Sequence, residues 1–141
     1  YLPDFKYYYD DLAFKLSSAK DYRETATKAI KEMLRQQPEN IYDEDGMLLK
    51  GVIIRHLVLP NHIQNSKQAL KLIRNTFGKN VYVSVMAQYF PCYKACEIEE
   101  INRKLSEEEF EEIENFVYSL NLKNGYIQYL EDNEEQYVPE F

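Results

Sequence analysis

Gly51-Val52-Ile53-Ile54-Arg55-His56-Leu57-Val58-Leu59-Pro60 is the stretch whose reading decides the fold. Its apolar residues stand on both parities, so both faces of a strand here are covered, as in a parallel sheet layered with helices. Downstream, Ser66 is read as the cap of a helix that buries Ala69, Leu70, Ile73 and Phe77 and stops at Gly78. Val81 to Ala87 reads as a second strand. Ser106 with Glu109 forms a capping box before a helix carrying Phe110, Ile113, Phe116, Val117 and Leu120. Gly125 to Leu130 is a third strand. Upstream, Asp21 and Glu24 form a capping-box-like pair for a helix that buries Tyr22, Ala26, Ala29, Ile30, Met33 and Leu34 and ends at Pro38. Asp10 to Leu16 is a short helix, Asp45-Gly46 turns a small hairpin, and Tyr1 to Tyr7 is extended. The order helix, strand, helix, strand, helix, strand predicts a parallel α/β layer, and an open doubly wound sheet and a piece of barrel both satisfy it. Residues 1–130 form one domain, and residues 131–141 are an acidic tail without periodicity.

The chain has 141 residues, 17 Lys+Arg against 24 Asp+Glu, and a formal charge of −7. That balance argues against general affinity for nucleic acid or anionic membrane. No apolar run approaches the roughly 18 residues of a membrane helix, and no export segment is visible. Two cysteines exclude a disulfide framework and point to a cytoplasmic protein. A complete (β/α) barrel needs about 250 residues, more than this chain has. The 13 tyrosines carry no functional weight.

In α/β proteins ligands meet the carboxyl ends of the strands, and three such ends are legible. At Asp4-Phe5-Lys6 the two charged side chains point the same way, because residues two apart on a strand share a face. Arg55 lies in an apolar strand and needs a carboxylate or an anionic ligand. His56, its neighbour, must face the opposite side. Past the second strand, Gln88 and Tyr89 either hydrogen-bond and stack on a ligand or plug the end of the core. Cys92 and Cys96 are spaced C-x3-C, but zinc wants four ligands and the position three beyond Cys96 is Glu99, so no metal site is read there. The glutamates from Glu107 to Glu114 read as the solvated face of a helix.

Leu2-Pro3-Asp4-Phe5-Lys6-Tyr7, Ile54-Arg55-His56-Leu57-Val58-Leu59-Pro60-Asn61 and Met86-Ala87-Gln88-Tyr89-Phe90-Pro91-Cys92-Tyr93-Lys94-Ala95 together resemble landmarks of radical S-adenosylmethionine proteins. The nearest branch is that related to pyruvate formate-lyase activating enzyme. The resemblance implies parallel βα units forming the second half of a partial (β/α)6 TIM-like barrel, entered at the end of its fourth strand. It implies S-adenosylmethionine and a [4Fe–4S] cluster as cofactors of the intact parent, whose reductive cleavage chemistry yields a 5′-deoxyadenosyl radical. Asp4 and Lys6 match the family's Asp-x-Lys that contacts S-adenosylmethionine, and Arg55 matches an arginine of the same pocket. Tyr89 stands where activating enzymes have a histidine near the adenine, with Gln88 beside it. The C-x3-C-x2-C cluster motif is absent, so the resemblance assigns no catalytic residue here and implies an inactive fragment that by itself holds neither the cluster nor S-adenosylmethionine. Its expected partners are the amino-terminal half of the barrel and a protein substrate such as a glycyl radical enzyme. Exposed strand edges predict self-association. The alternatives are a non-catalytic α/β ligand-binding or interaction module and a degenerate radical-family protein that binds nucleotide without cleaving it.

Overall fold

The computed structural model describes residues 1–128. The acidic tail and the last two residues of the expected third strand lie outside the described residues. The elements run α1 (Asp10–Ser17), α2 (Tyr22–Gln36), β1 (Ile41–Tyr42), β2 (Leu48–Lys50), β3 (Ile53–Leu57), α3 (Ile63–Phe77), β4 (Tyr82–Met86), α4 (Glu107–Ser119) and β5 (Asn124–Gln128). β1 and β2 are the antiparallel hairpin expected around Asp45-Gly46. β3, β4 and β5 form a parallel sheet in sequential order. Tyr1 to Phe5 extends that sheet beside β3. Ile53 N–H donates to the Tyr1 carbonyl at 3.1 Å, Arg55 N–H to the Pro3 carbonyl at 2.8 Å, and Phe5 N–H to the Arg55 carbonyl at 2.8 Å. Among the described residues the sheet is open, and the parallel α/β layer is as expected.

One face of the sheet is dry. Phe5, Ile54, Val83 and Val85 point into a core closed by Ile30 of α2, Leu70 and Ile73 of α3, and Ile113 of α4. Each fully buried side chain of this size contributes about 1.5–3 kcal/mol before entropy is subtracted. The opposite parity (Arg55 and Leu57, Ser84 and Met86, Tyr126) is only partly covered or exposed. Gly51 is needed where the chain enters β3: its φ is +148°, and a Cβ there would sit 2.1 Å from Asn40 Oδ1. That same oxygen accepts the Val52 N–H at 3.0 Å.

Two expected helix caps are corrected. Ser66 does not start α3, which begins at Ile63 after His62; Ser66 is wholly buried and its Oγ lies 2.8 Å from His56 Nε2. The hydroxyl serves a tertiary partner, so the helix start moves one turn earlier. Asp21 precedes α2 in a left-handed conformation (φ 51°) and makes no side-chain cap bond. Its supposed partner Glu24 pairs with Lys28 instead, at 2.5 Å. The capping box of Ser106 and Glu109 is present in both directions. Glu109 also takes Arg103 and the Asn61 N–H, and the Arg103 guanidinium beside it holds its carboxyl down at about 2.

His56 answers the parity question posed by the sequence. It faces the helices, completely buried, with Nδ1 2.6 Å from the Phe5 carbonyl and Nε2 against Ser66. A carbonyl only accepts, so Nδ1 carries the proton and the Ser66 hydroxyl donates to Nε2. Burial pushes the imidazole down from 6.5 to about 4. The unfolded chain therefore protonates first, and stability that is fully present above pH 6.5 falls as the pH drops toward 4, by on the order of 3 kcal/mol. Urea unfolding of His56→Gln across this window is expected to lose that slope; a slope equal to wild type would refute the assignment. Ser106→Ala is expected to lower stability by about 1 kcal/mol in the same assay, as for other helix caps.

Candidate functional site

The open face of the sheet gathers the predicted residues of the first two strand ends. Asp4 pairs in register with Arg55, Arg55 with Ser84, and Ser84 with Tyr126, so these four form one row across the three parallel strands and the extended first segment beside them. Asp4 Oδ1 accepts from Arg55 Nε at 2.7 Å, and Asp4 Oδ2 lies 3.9 Å from Lys6 Nζ. The carboxylate required by Arg55 is thus Asp4, 51 residues away in sequence. The three side chains are 32–45% exposed, so their ion pairing contributes at most about 1 kcal/mol to stability. Two cations stand against one carboxylate, and the trio therefore favours an anionic group despite the acidity of the chain.

Past the trio, toward the strand ends, the face becomes apolar. A cavity of about 180 Å3 lies between Lys6, Tyr7, Leu57, Leu59, Tyr89 and Ile101. Tyr89 lines it with its ring, since its hydroxyl donates to the Ile101 carbonyl at 2.9 Å and the residue is buried in a small cluster with Tyr7, Leu12 and Leu59. Of the two readings of Tyr89, its hydroxyl follows the plug. Burial, followed by the nearby thiols of Cys92 and Cys96, raises its phenol. Gln88 is different: its Oε1 is buried and has no hydrogen-bond partner among the described residues. A buried acceptor left unpaired costs about 1–3 kcal/mol, so it marks a place where a donor is owed.

Cys92 and Cys96 are free, exposed thiols on the turn Tyr93–Glu97 and its flank. Among the described residues no three His, Cys, Asp or Glu side chains converge as metal ligands. A larger hollow of about 530 Å3, lined by Lys15, Asn61, Ile98, Glu99 and Glu100, lies on the loops, where Lys15 Nζ already pairs with Glu100 Oε1 at 2.6 Å and His62 stands 3.6 Å from the same oxygen. None of the described helices is long and apolar enough to cross a membrane.

Sequence reasoning missed three contributors. Ser84 joins the Asp4–Arg55 row only through strand register. Tyr22, read as part of an apolar helix face, points its hydroxyl at the backbone of the Asp4–Lys6 segment. Asn65, 2% exposed, reaches the same segment from α3. The only available signal was negative: a tyrosine and an asparagine at positions where a purely apolar face would need neither.

No family model and no solved structure matches the chain. It is 34% identical over 122 residues, 86% of its length, to uncharacterized protein MJ0674 of Methanocaldococcus jannaschii. The match covers 32% of that protein, so the chain spans about a third of the length of the relative it resembles.

Proposed function

We propose that this chain forms the S-adenosylmethionine-binding wall of a radical S-adenosylmethionine protein, as the carboxyl-terminal half of its partial barrel. The observation that carries the reading is the meeting of Asp4, Lys6 and Arg55 on the open face of adjacent parallel strands, two cations around one carboxylate. Lys6 and Arg55 neutralise the methionyl carboxylate, and Asp4 accepts from the ammonium or a ribose hydroxyl. Gln88, whose buried Oε1 has no partner among the described residues, accepts from a donor on the adenine side of the ligand.

The [4Fe–4S] cluster does not fit the residues of this chain. Cys92 and Cys96 provide one thiolate too few for the family's three-cysteine loop and sit exposed on a turn. Radical generation belongs to a cluster-bearing half outside this chain, and a glycyl radical enzyme is one protein substrate compatible with the reading. The sequential strand order, with α2, α3 and α4 gathered on one face, supports the barrel geometry. The match to one third of a longer relative supports the status of a half. Leu2, and Ile41, Met47 and Leu49 of the hairpin, are 49–66% exposed, and in this reading the other half covers them.

Isothermal titration with S-adenosylmethionine tests the reading. Because Asp4, Lys6 and Arg55 already meet within this chain, wild type is expected to bind, unlike the cofactor-free fragment that the resemblance implies. Lys6→Ala and Arg55→Ala are each expected to weaken binding roughly tenfold or more, the cost of a lost charged hydrogen bond. No binding by wild type, or equal binding by all three proteins, would sink the proposal. The uncovered apolar surface further predicts concentration-dependent self-association in sedimentation velocity, and a clean monomer at all concentrations contradicts the half-barrel.

A further inference from the structure

We propose that Tyr22 and Asn65 are positioning residues of this site, which orient Lys6 and Asp4 by holding the peptide groups on either side of Lys6. The identity of the ligand rests on the reading above; the positioning does not. Phe5 N–H is the last rung joining the first segment to β3, so no sheet ladder holds Lys6. Two helices do it instead. The Tyr22 hydroxyl of α2 accepts the Lys6 N–H at 2.9 Å and donates to the Asp4 carbonyl at 3.1 Å. From α3, Asn65 Nδ2 donates to the Lys6 carbonyl at 2.9 Å, while its Oδ1 accepts the Tyr8 N–H at 2.8 Å.

With Phe5 satisfied by Arg55 and His56, every backbone polar group from the Asp4 carbonyl to the Lys6 carbonyl is occupied. Neither N–H of this stretch is left for an anionic ligand. Recognition of an anionic group therefore falls to side chains, and the directions of Asp4 and Lys6 follow from the clamped peptides. The Tyr22 ring is itself fixed, edge-on to Phe5 at 6.1 Å and to Tyr7 at 5.2 Å. Burial raises its phenol, which keeps the hydroxyl protonated and able to donate as well as accept. Only a hydroxyl does both at once; phenylalanine in its place would keep both ring contacts and strand the Lys6 N–H and the Asp4 carbonyl.

The test compares Tyr22→Phe and Asn65→Asp with Ile30→Val, a control that removes a methyl from the core side of α2 and touches neither clamp. Asn65→Asp keeps the acceptor for Tyr8 and replaces the donor to Lys6 with a second acceptor. Two readouts are taken on the 141-residue chain: solvent exchange of the Arg55 Nε–H, which Asp4 protects, by NMR, and S-adenosylmethionine affinity by calorimetry. Both clamp variants are expected to accelerate the exchange and weaken the affinity about tenfold, with Ile30→Val at wild-type values in both. Wild-type exchange and affinity in both clamp variants would overturn the inference, as would an Ile30→Val effect of equal size. If the exchange responds as expected and no protein binds S-adenosylmethionine, the positioning stands and the assigned ligand falls.

Discussion

The site depends on one backbone pairing, the parallel docking of Tyr1–Phe5 onto β3. Its rungs at Ile53, Arg55 and Phe5, together with the His56 bond to the Phe5 carbonyl, bring Asp4 to Arg55 across 51 residues of sequence. Each such hydrogen bond contributes a net of about 0.5–1.5 kcal/mol, whereas the partly exposed Asp4–Arg55 ion pair contributes about 1 kcal/mol at most. The ladder therefore assembles the ion pair, and the ion pair does not assemble the ladder. His56 makes the arrangement stringent. It is buried on the side opposite Arg55, so a slip of one residue would send the imidazole to the open face and the guanidinium into the core. Burying that guanidinium without its partner would cost several kcal/mol.

The local charge of the site runs against that of the whole chain. The formal charge of −7 reflects glutamates on α4 and an acidic carboxyl end, while the trio on the sheet is locally cationic. At physiological ionic strength exposed charges are screened beyond about 8 Å, so the global balance says little about what these side chains meet. The acid on α4 is not idle. Glu109 closes the capping box and ties Arg103 and the loop at Asn61 to the helix start, and Glu112 reaches Lys67 of α3 at 2.6 Å. The glutamate run read as a solvated face is thus also part of the seam between α3 and α4.

What was legible in the sequence was what is local. The alternation that puts Arg55 and His56 on opposite faces has a period of two residues, and the Ser106 box closes within one helical turn; both are as expected. Ser66 and Asp21 carry the same cap-forming chemistry and do not cap. Ser66 has a buried imidazole to serve, and Asp21 sits in a left-handed turn and makes no side-chain bond to the helix start. Ser84 and Tyr22 were invisible for a related reason. A serine in an apolar strand gains meaning only from its register with Arg55, and a tyrosine on an amphipathic face counts as apolar until its hydroxyl finds a partner 16 residues away.

The open face also bears on which α/β architecture the chain can join. A doubly wound sheet covers both faces with helices, and its strand order reverses at the ligand crevice. Here the order of the parallel strands is sequential; α2, α3 and α4 gather on the face of Ile54, Val83 and Val85, while α1 packs in a separate cluster with Leu57 at the end of the opposite face. A helix laid over the other face would have to dehydrate the Asp4–Arg55 pair and Lys6, and desolvation of that kind costs more than the pairing returns. An enclosed, partly wet cavity imposes no such cost. The middle of the face is polar at Asp4, Arg55 and Ser84, and it is flanked by Ile53 and Tyr82 on one side and Leu57 and Met86 on the other. That layering, charge at the centre with apolar belts above and below, leaves Arg55 paired with Asp4 and partly hydrated, the environment that a guanidinium on an otherwise apolar strand requires.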